Sequence, residues 1–129
     1  MTERLERCLN DFKNAVNNLN VAVQNTVNDL EIDGTIKRFE LCYELAWKLI
    51  KETLANLGII CKNPRHCFKE AQDNDLIDDV KAWLDMIEDR NILVHTYNFK
   101  NSRKIFQNIK DSYFNLFKKL LEEVKKYEN

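Results

Sequence analysis

The chain has 129 residues, 44% hydrophobic and 32% charged, with a formal net charge of −1. This is long enough for one modest core and too apolar for a disordered chain, so one folded domain over residues 1–129 is expected. The balanced charge excludes a global basic field for nucleic acid, and no apolar run approaches the roughly 18–20 residues that span a bilayer.

Two glycines and one proline leave few turns, which favours long helices. The opening MTERLERCLNDF is charged from its third residue and reads as no secretory leader, so a cytoplasmic, non-membrane protein is expected. Leu5, Leu9, Phe12, Val16, Leu19, Val23 and Leu30, with Val27 near the same seam, predict a first helix of one apolar stripe. Asp33-Gly34 is expected to break it, with Asp33 or Thr35 capping the next helix.

The second helix, TIKRFELCYELAWKLIKETLANLG, carries Ile36, Phe39, Tyr43, Ala46, Ile50, Thr53 and Leu57 on one stripe. Leu41, Cys42, Leu45, Trp47 and Leu49 widen it, so this helix is expected at the centre of a bundle or against a second subunit. Gly58 fits the position just past its end. A short third helix follows in NPRHCFKEAQDN, with Asn63 as cap and Pro64 at the first position. The fourth runs from about Asp75 to a break at Asn98, with Trp83, Ile87 and Leu93 among its apolar positions. The fifth, from about Asn101, carries Ile105, Ile109, Tyr113, Phe117, Leu120, Val124 and Tyr127. The fold expected is all-α: an antiparallel bundle of four long helices plus one short helix.

Cys8, Cys42, Cys61 and Cys67 are unevenly spaced and read as reduced thiols. Cys61, His66 and Cys67 hint at a metal site but lack a fourth ligand nearby, and neither metal nor cofactor is expected. Trp47 and Trp83 read as packing residues. Glu40, Glu44 and Lys48 read as a solvated face or as part of a subunit cleft. Lys62, Arg65 and Lys69 form either a local basic patch or a scattered surface, and KKLLEEVKKYEN reads as a charged helix end.

EDRNILVHTYN, residues 88–98, places Arg90, Asn91, His95 and Tyr97 where a helix stops. On a continuous helix Arg90 and His95 lie about 140° apart. Unwinding after about Val94, which the weak helix formers Thr96 and Asn98 permit, would let His95 and Tyr97 swing toward the arginine. An imidazole that titrates near neutrality and a guanidinium that holds two phosphate oxygens suit cleavage of an RNA phosphodiester without a metal. Spacing alone leaves open a structural reading, with His95 capping the helix, Arg90 in a surface ion pair and Tyr97 in the core.

RNILVH resembles the R-[polar]-x-x-x-H signature of the HEPN superfamily of small helical ribonucleases and RNA-binding domains. With Thr96 and Tyr97 it is similar to the R-x4-H-x-Y form of HepT-like toxins. Together with RFELCYELAWKLIKETL and WLDMIEDRNILVHTYN, it makes nearly the whole chain resemble the nucleotidyltransferase substrate-binding proteins. That resemblance implies an all-helical homodimer paired with a cognate minimal nucleotidyltransferase. It implies that Arg90 and His95 are the ribonuclease pair acting on RNA, that Asn91 orients the site, and that the partner adenylylates Tyr97. Two functions follow from it: a toxin, a metal-independent endoribonuclease inhibited by its partner, or a non-catalytic substrate-binding subunit of the nucleotidyltransferase.

Overall fold

Thr2 opens the first helix by accepting a hydrogen bond from the Leu5 N–H at 3.1 Å. The structure, a computed structural model, describes residues 1–128. Along them run α1 (Glu3–Asn25), α2 (Asp29–Asn56), α3 (Pro64–Asp73), α4 (Val80–His95), α5 (Phe99–Asn108), a π-helical turn (Ile109–Tyr113) and α6 (Phe114–Lys125). Backbone angles stay right-handed helical from Asn108 through Phe114, so α5, the π turn and α6 form one rod. The architecture is therefore the expected helical bundle of four long elements and one short one, with no strand among the described residues. Asn129, the last residue of the charged tail, lies outside the described residues.

The first break is not where the Asp33-Gly34 pair placed it. Asn28 caps α2 by accepting from the Glu31 N–H at 2.9 Å, and Glu31 Oε1 accepts from the Val27 N–H at 3.3 Å. Thr26 Oγ1 meets Thr35 Oγ1 at 2.7 Å and fixes the angle between the two helices. Asp33, Gly34 and Thr35 therefore lie inside α2, and Val27 and Leu30 are exposed rather than part of the α1 stripe. α4 starts later than about Asp75: Asp79 caps it by accepting from the Ala82 N–H at 3.1 Å, and Asp75, at a left-handed φ of 61°, lies in the turn that follows α3. Asn98 starts α5 rather than merely ending α4: its side chain accepts from the Asn101 N–H. Tyr127 lies past the end of α6 and is exposed.

Other local signals match the structure. Gly58, at φ 82°, closes α2 with its N–H on Ala55 O, while the Ile59 N–H reaches Leu54 O. Asn63 caps α3, and Pro64 occupies its first turn. This wrapping returns residue 61 to the first turn of α3, where Cys61 and Cys67 form a disulfide with Cα atoms 5.1 Å apart. The two cysteines are thus not the reduced thiols expected. Uneven spacing in sequence carries no information on proximity, which the cap geometry sets. Cys8 and Cys42 are free, and burial pushes the Cys42 thiol up to about 12.

The wide apolar face of α2 makes it the hub: it packs against α1, α3, α5 and α6. Phe39 stacks on Tyr113 at 5.6 Å, Phe12 and Trp83 meet Phe117 edge-on, and Phe68 lies 4.9 Å from Trp83. Each such fully buried aromatic contributes about 1.5–3 kcal/mol by removal from water. This aromatic cluster fixes α4, whose end carries the residues of the motif.

Candidate functional site

α4 packs on α3, α5 and the π turn. Its register is set from behind by Asp89, whose Oδ2 accepts from Asn108 Nδ2 at 2.8 Å and Tyr113 Oη at 2.5 Å. Asn108 and Tyr113 flank and close the π turn, whose extra residue re-aims side chains on the rod toward α4. With Asp89 held on that side, Arg90 projects to the other, toward α2.

Arg90 Nη2 lies 3.4 Å from Glu44 Oε1, and its guanidinium sits 5.8 Å from the Tyr43 ring centroid. Glu44 also accepts from the Trp47 indole N–H at 3.1 Å, so this carboxylate is braced within α2. An open groove of about 470 Å3 runs beside the pair, lined by Lys37, Arg38, Glu40, Leu41, Glu44 and Arg90. About one third of the Arg90 side chain is exposed, and its planar donors can meet a phosphate there. Burial raises the Tyr43 phenol, and the Arg90 cation opposes that shift.

The helix does not unwind at Val94. It runs through His95, and the Thr96 N–H still reaches Ile92 O at 2.7 Å. Arg90 and His95 therefore keep helical spacing, about 140° apart around the axis. His95 and Asn91 are exposed. Tyr97 swings not to the arginine but to α2, where its hydroxyl donates to Asp33 Oδ1. Half of the residue is exposed, at 51%, but the hydroxyl is against α2. That local burial, then the hydrogen bond and charge of Asp33 and the more distant Glu40, push the phenol up to about 12. The chain thus brings Arg90 and Tyr97 separately to the same helix, and does not bring its own His95 to Arg90.

Asp33 and Glu44 are the site residues that the motif did not reveal. Both lie on one face of α2, with Glu40 between them at helical spacings of seven and four. That acidic face is legible in the sequence in part, through Glu40 and Glu44, but Asp33 reads there as part of a break between helices. Among the described residues no group of three or more His, Cys, Asp or Glu side chains is arranged to hold a metal ion. His66 Nδ1 accepts from the Lys62 N–H at 3.3 Å, and the sulfurs of Cys61 and Cys67 are bonded to each other. No helix among the described residues is long and apolar enough to cross a membrane.

Fold and site together define an all-helical bundle protein with a mixed-charge groove between α2 and the end of α4. Residues 5–126 match the family described as "Nucleotidyltransferase substrate binding protein like". The chain belongs to that family. It is 31% identical over 90 residues to a Haemophilus influenzae protein named "Probable ribonuclease HepT", a match covering 66% of this chain and 62% of that protein. A solved structure from Thermus thermophilus superposes with a TM-score of 0.82 at 27% identity, over 88% of this chain and 98% of that one. A second, from Haemophilus influenzae, is described as the fold of a substrate binding domain of a nucleotidyltransferase. It superposes with a TM-score of 0.65 at 25% identity, over 94% of this chain and 96% of that one.

Proposed function

We propose that this chain is a HepT-like toxin: a metal-independent endoribonuclease that works as a homodimer in the cytoplasm, paired with and inhibited by a minimal nucleotidyltransferase. The observation that carries this reading is the Arg90–His95–Tyr97 spacing at and just past the end of α4, with Arg90 beside an open groove and His95 exposed. In the proposed reaction His95 takes the proton of a ribose 2′-hydroxyl as that oxygen attacks phosphorus; the bond from phosphorus to the 5′-oxygen breaks, and that oxygen leaves with the electron pair and takes a proton from water, which gives a 2′,3′-cyclic phosphate. Arg90 stabilises the charge that builds on the phosphoryl oxygens, and Asn91 orients the strand. Because a helical Arg90 and His95 diverge, the arginine of one protomer and the histidine of its partner are the pair proposed to meet across the dimer. The relative named a probable ribonuclease supports this reading.

The test is cleavage of single-stranded RNA by purified protein. His95→Ala is expected to abolish cleavage and to shift stability by no more than about 0.5 kcal/mol, as for other exposed positions. Chelators are expected to leave cleavage intact. Loss of folding in His95→Ala would assign the imidazole to structure, and cleavage that EDTA stops would refute the metal-free route.

A second reading is favoured by the Glu44 and Asp33 contacts, which occupy Arg90 and Tyr97 in the resting protomer. In it the chain is a non-catalytic subunit that docks the nucleotidyltransferase and presents Tyr97 for adenylylation. Wild-type dimer that cleaves no RNA but gains AMP on Tyr97 decides for this subunit role.

A further inference from the structure

Tyr97 and Asp33 are 64 positions apart in sequence, yet the phenol donates its hydrogen bond to that carboxylate. The meeting is held by independent contacts. Arg103 grips Asp29, one turn before Asp33, through two bonds of 3.0 and 2.7 Å, which pins the start of α2 to α5. On the other side, the Asn98 cap and the bond from Asn101 Nδ2 to Thr96 O fix the turn that carries Tyr97. Among the described residues no cation forms an ion pair with Asp33. The residue is also open to a visiting enzyme: Tyr97 is 51% exposed.

The geometry points to Asp33 as the catalytic base for nucleotidylation of Tyr97, taking the phenolic proton as the phenol oxygen attacks the α-phosphorus of a nucleoside triphosphate held by a partner enzyme. This rests on the reading of Tyr97 as the acceptor. A bond forms between Tyr97 Oη and the α-phosphorus. The bond from that phosphorus to the bridging oxygen breaks, and its electron pair leaves with pyrophosphate. The proton passes to Asp33 and then to water. A neighbouring carboxylate is suited to this because the phenol is a poor acid in its resting environment. Its proton becomes acidic only as the oxygen–phosphorus bond forms, and a positioned carboxylate accepts it then, as carboxylates do for hydroxyl nucleophiles in other phosphoryl transfers. Once the ester exists, the phenol oxygen has no proton to donate. The new phosphate then faces Asp33 and Glu40, and the modified side chain is repelled from α2.

The experiment combines the full chain, ATP and the minimal nucleotidyltransferase, with AMP addition followed by intact mass and mapped by peptide. Wild type is expected to gain AMP on Tyr97 and Tyr97→Phe to gain none. Asp33→Asn, which keeps the size and one acceptor oxygen, is expected to slow the initial rate at saturating ATP at least ~100-fold, with unchanged affinity for the partner. A reading without the partner is ultraviolet titration of the phenol, taken as the difference from Tyr97→Phe. The transition near pH 12 in wild type is expected to move down in Asp33→Asn. If Asp33→Asn folds poorly, Asp33→Glu restores the carboxylate on a longer arm and is expected to be modified faster than Asp33→Asn. Equal rates in wild type and Asp33→Asn, with Tyr97 modified in both, would overturn the role of Asp33 alone. Wild type that gains no AMP, or gains it elsewhere, would overturn the acceptor reading and the base with it.

Discussion

At the scale of single residues, the folded chain opposes its own proposed chemistry. Glu44 sits 3.4 Å from Arg90, the arginine proposed to hold phosphate, so on that proposal an RNA phosphate would compete with this carboxylate for the same donors. Both side chains are more than one third exposed, which limits the pair to the 0–1 kcal/mol typical of surface ion pairs. Glu44→Gln is therefore expected to leave the melting temperature within a few degrees and to tighten binding of short RNA several-fold, read by fluorescence anisotropy at fixed ionic strength. Weaker binding would show instead that Glu44 positions the guanidinium for phosphate. Arg90 and Tyr97 are legible in the sequence as candidate site residues because the motif is local. Their partners on α2 are not, since each pairing joins two helices distant in the chain.

At the scale of elements, the two glycines show opposite uses of the same freedom. Gly34 lies inside α2 with nothing within 4 Å of the position its Cβ would take, and its φ is not left-handed. Gly34→Ala is expected to stabilise by about 0.5–1 kcal/mol through helix propensity and a less flexible unfolded chain. Gly58 holds φ 82° at the end of α2, so Gly58→Ala is expected to cost about 1–2 kcal/mol. Thermal unfolding of the two variants should show Tm changes of opposite sign. The same comparison tests the α1–α2 junction, because a helix break at Asp33-Gly34 would make Gly34→Ala destabilising. Asn28→Ala, which removes the cap, is expected to cost about 1 kcal/mol.

At the scale of the whole molecule, three tyrosines tie helices together and all have raised phenol pKa values. Burial, then Asp89, raises Tyr113; burial raises Tyr43; burial, then Asp33, raises Tyr97 to about 12. The unfolded phenol ionises near 10, before the folded one. Their contribution is thus fully present below pH 10 and is lost as pH rises through the folded values. Melting temperature should hold to about pH 10 and fall beyond it, and Tyr113→Phe should flatten that fall. A slope unchanged in Tyr113→Phe would place the alkaline limit elsewhere. The Cys61–Cys67 link closes a short loop, so dithiothreitol is expected to cost about 2 kcal/mol, visible as a lower urea midpoint.

The sequence by itself determined the helical class, the wide apolar face of α2, the Asn63-Pro64 start of α3 and the glycine stop at residue 58. Each of these depends on spacing or capping within a few residues, where the chain has little choice. Only the tertiary structure replaced the expected Asp33-Gly34 break with a break capped by Asn28. The winning arrangement gains the Thr26–Thr35 hydroxyl contact, the Asp29–Arg103 pair and the Asp33–Tyr97 bond, two of which reach the far end of the chain. The disulfide has the same origin, in a connection folded back on α3. At the site, tertiary structure alone set Arg90 against Glu44 and Tyr97 against Asp33. The order of residues records which groups are present, but the charge that each one faces depends on which helices pack together.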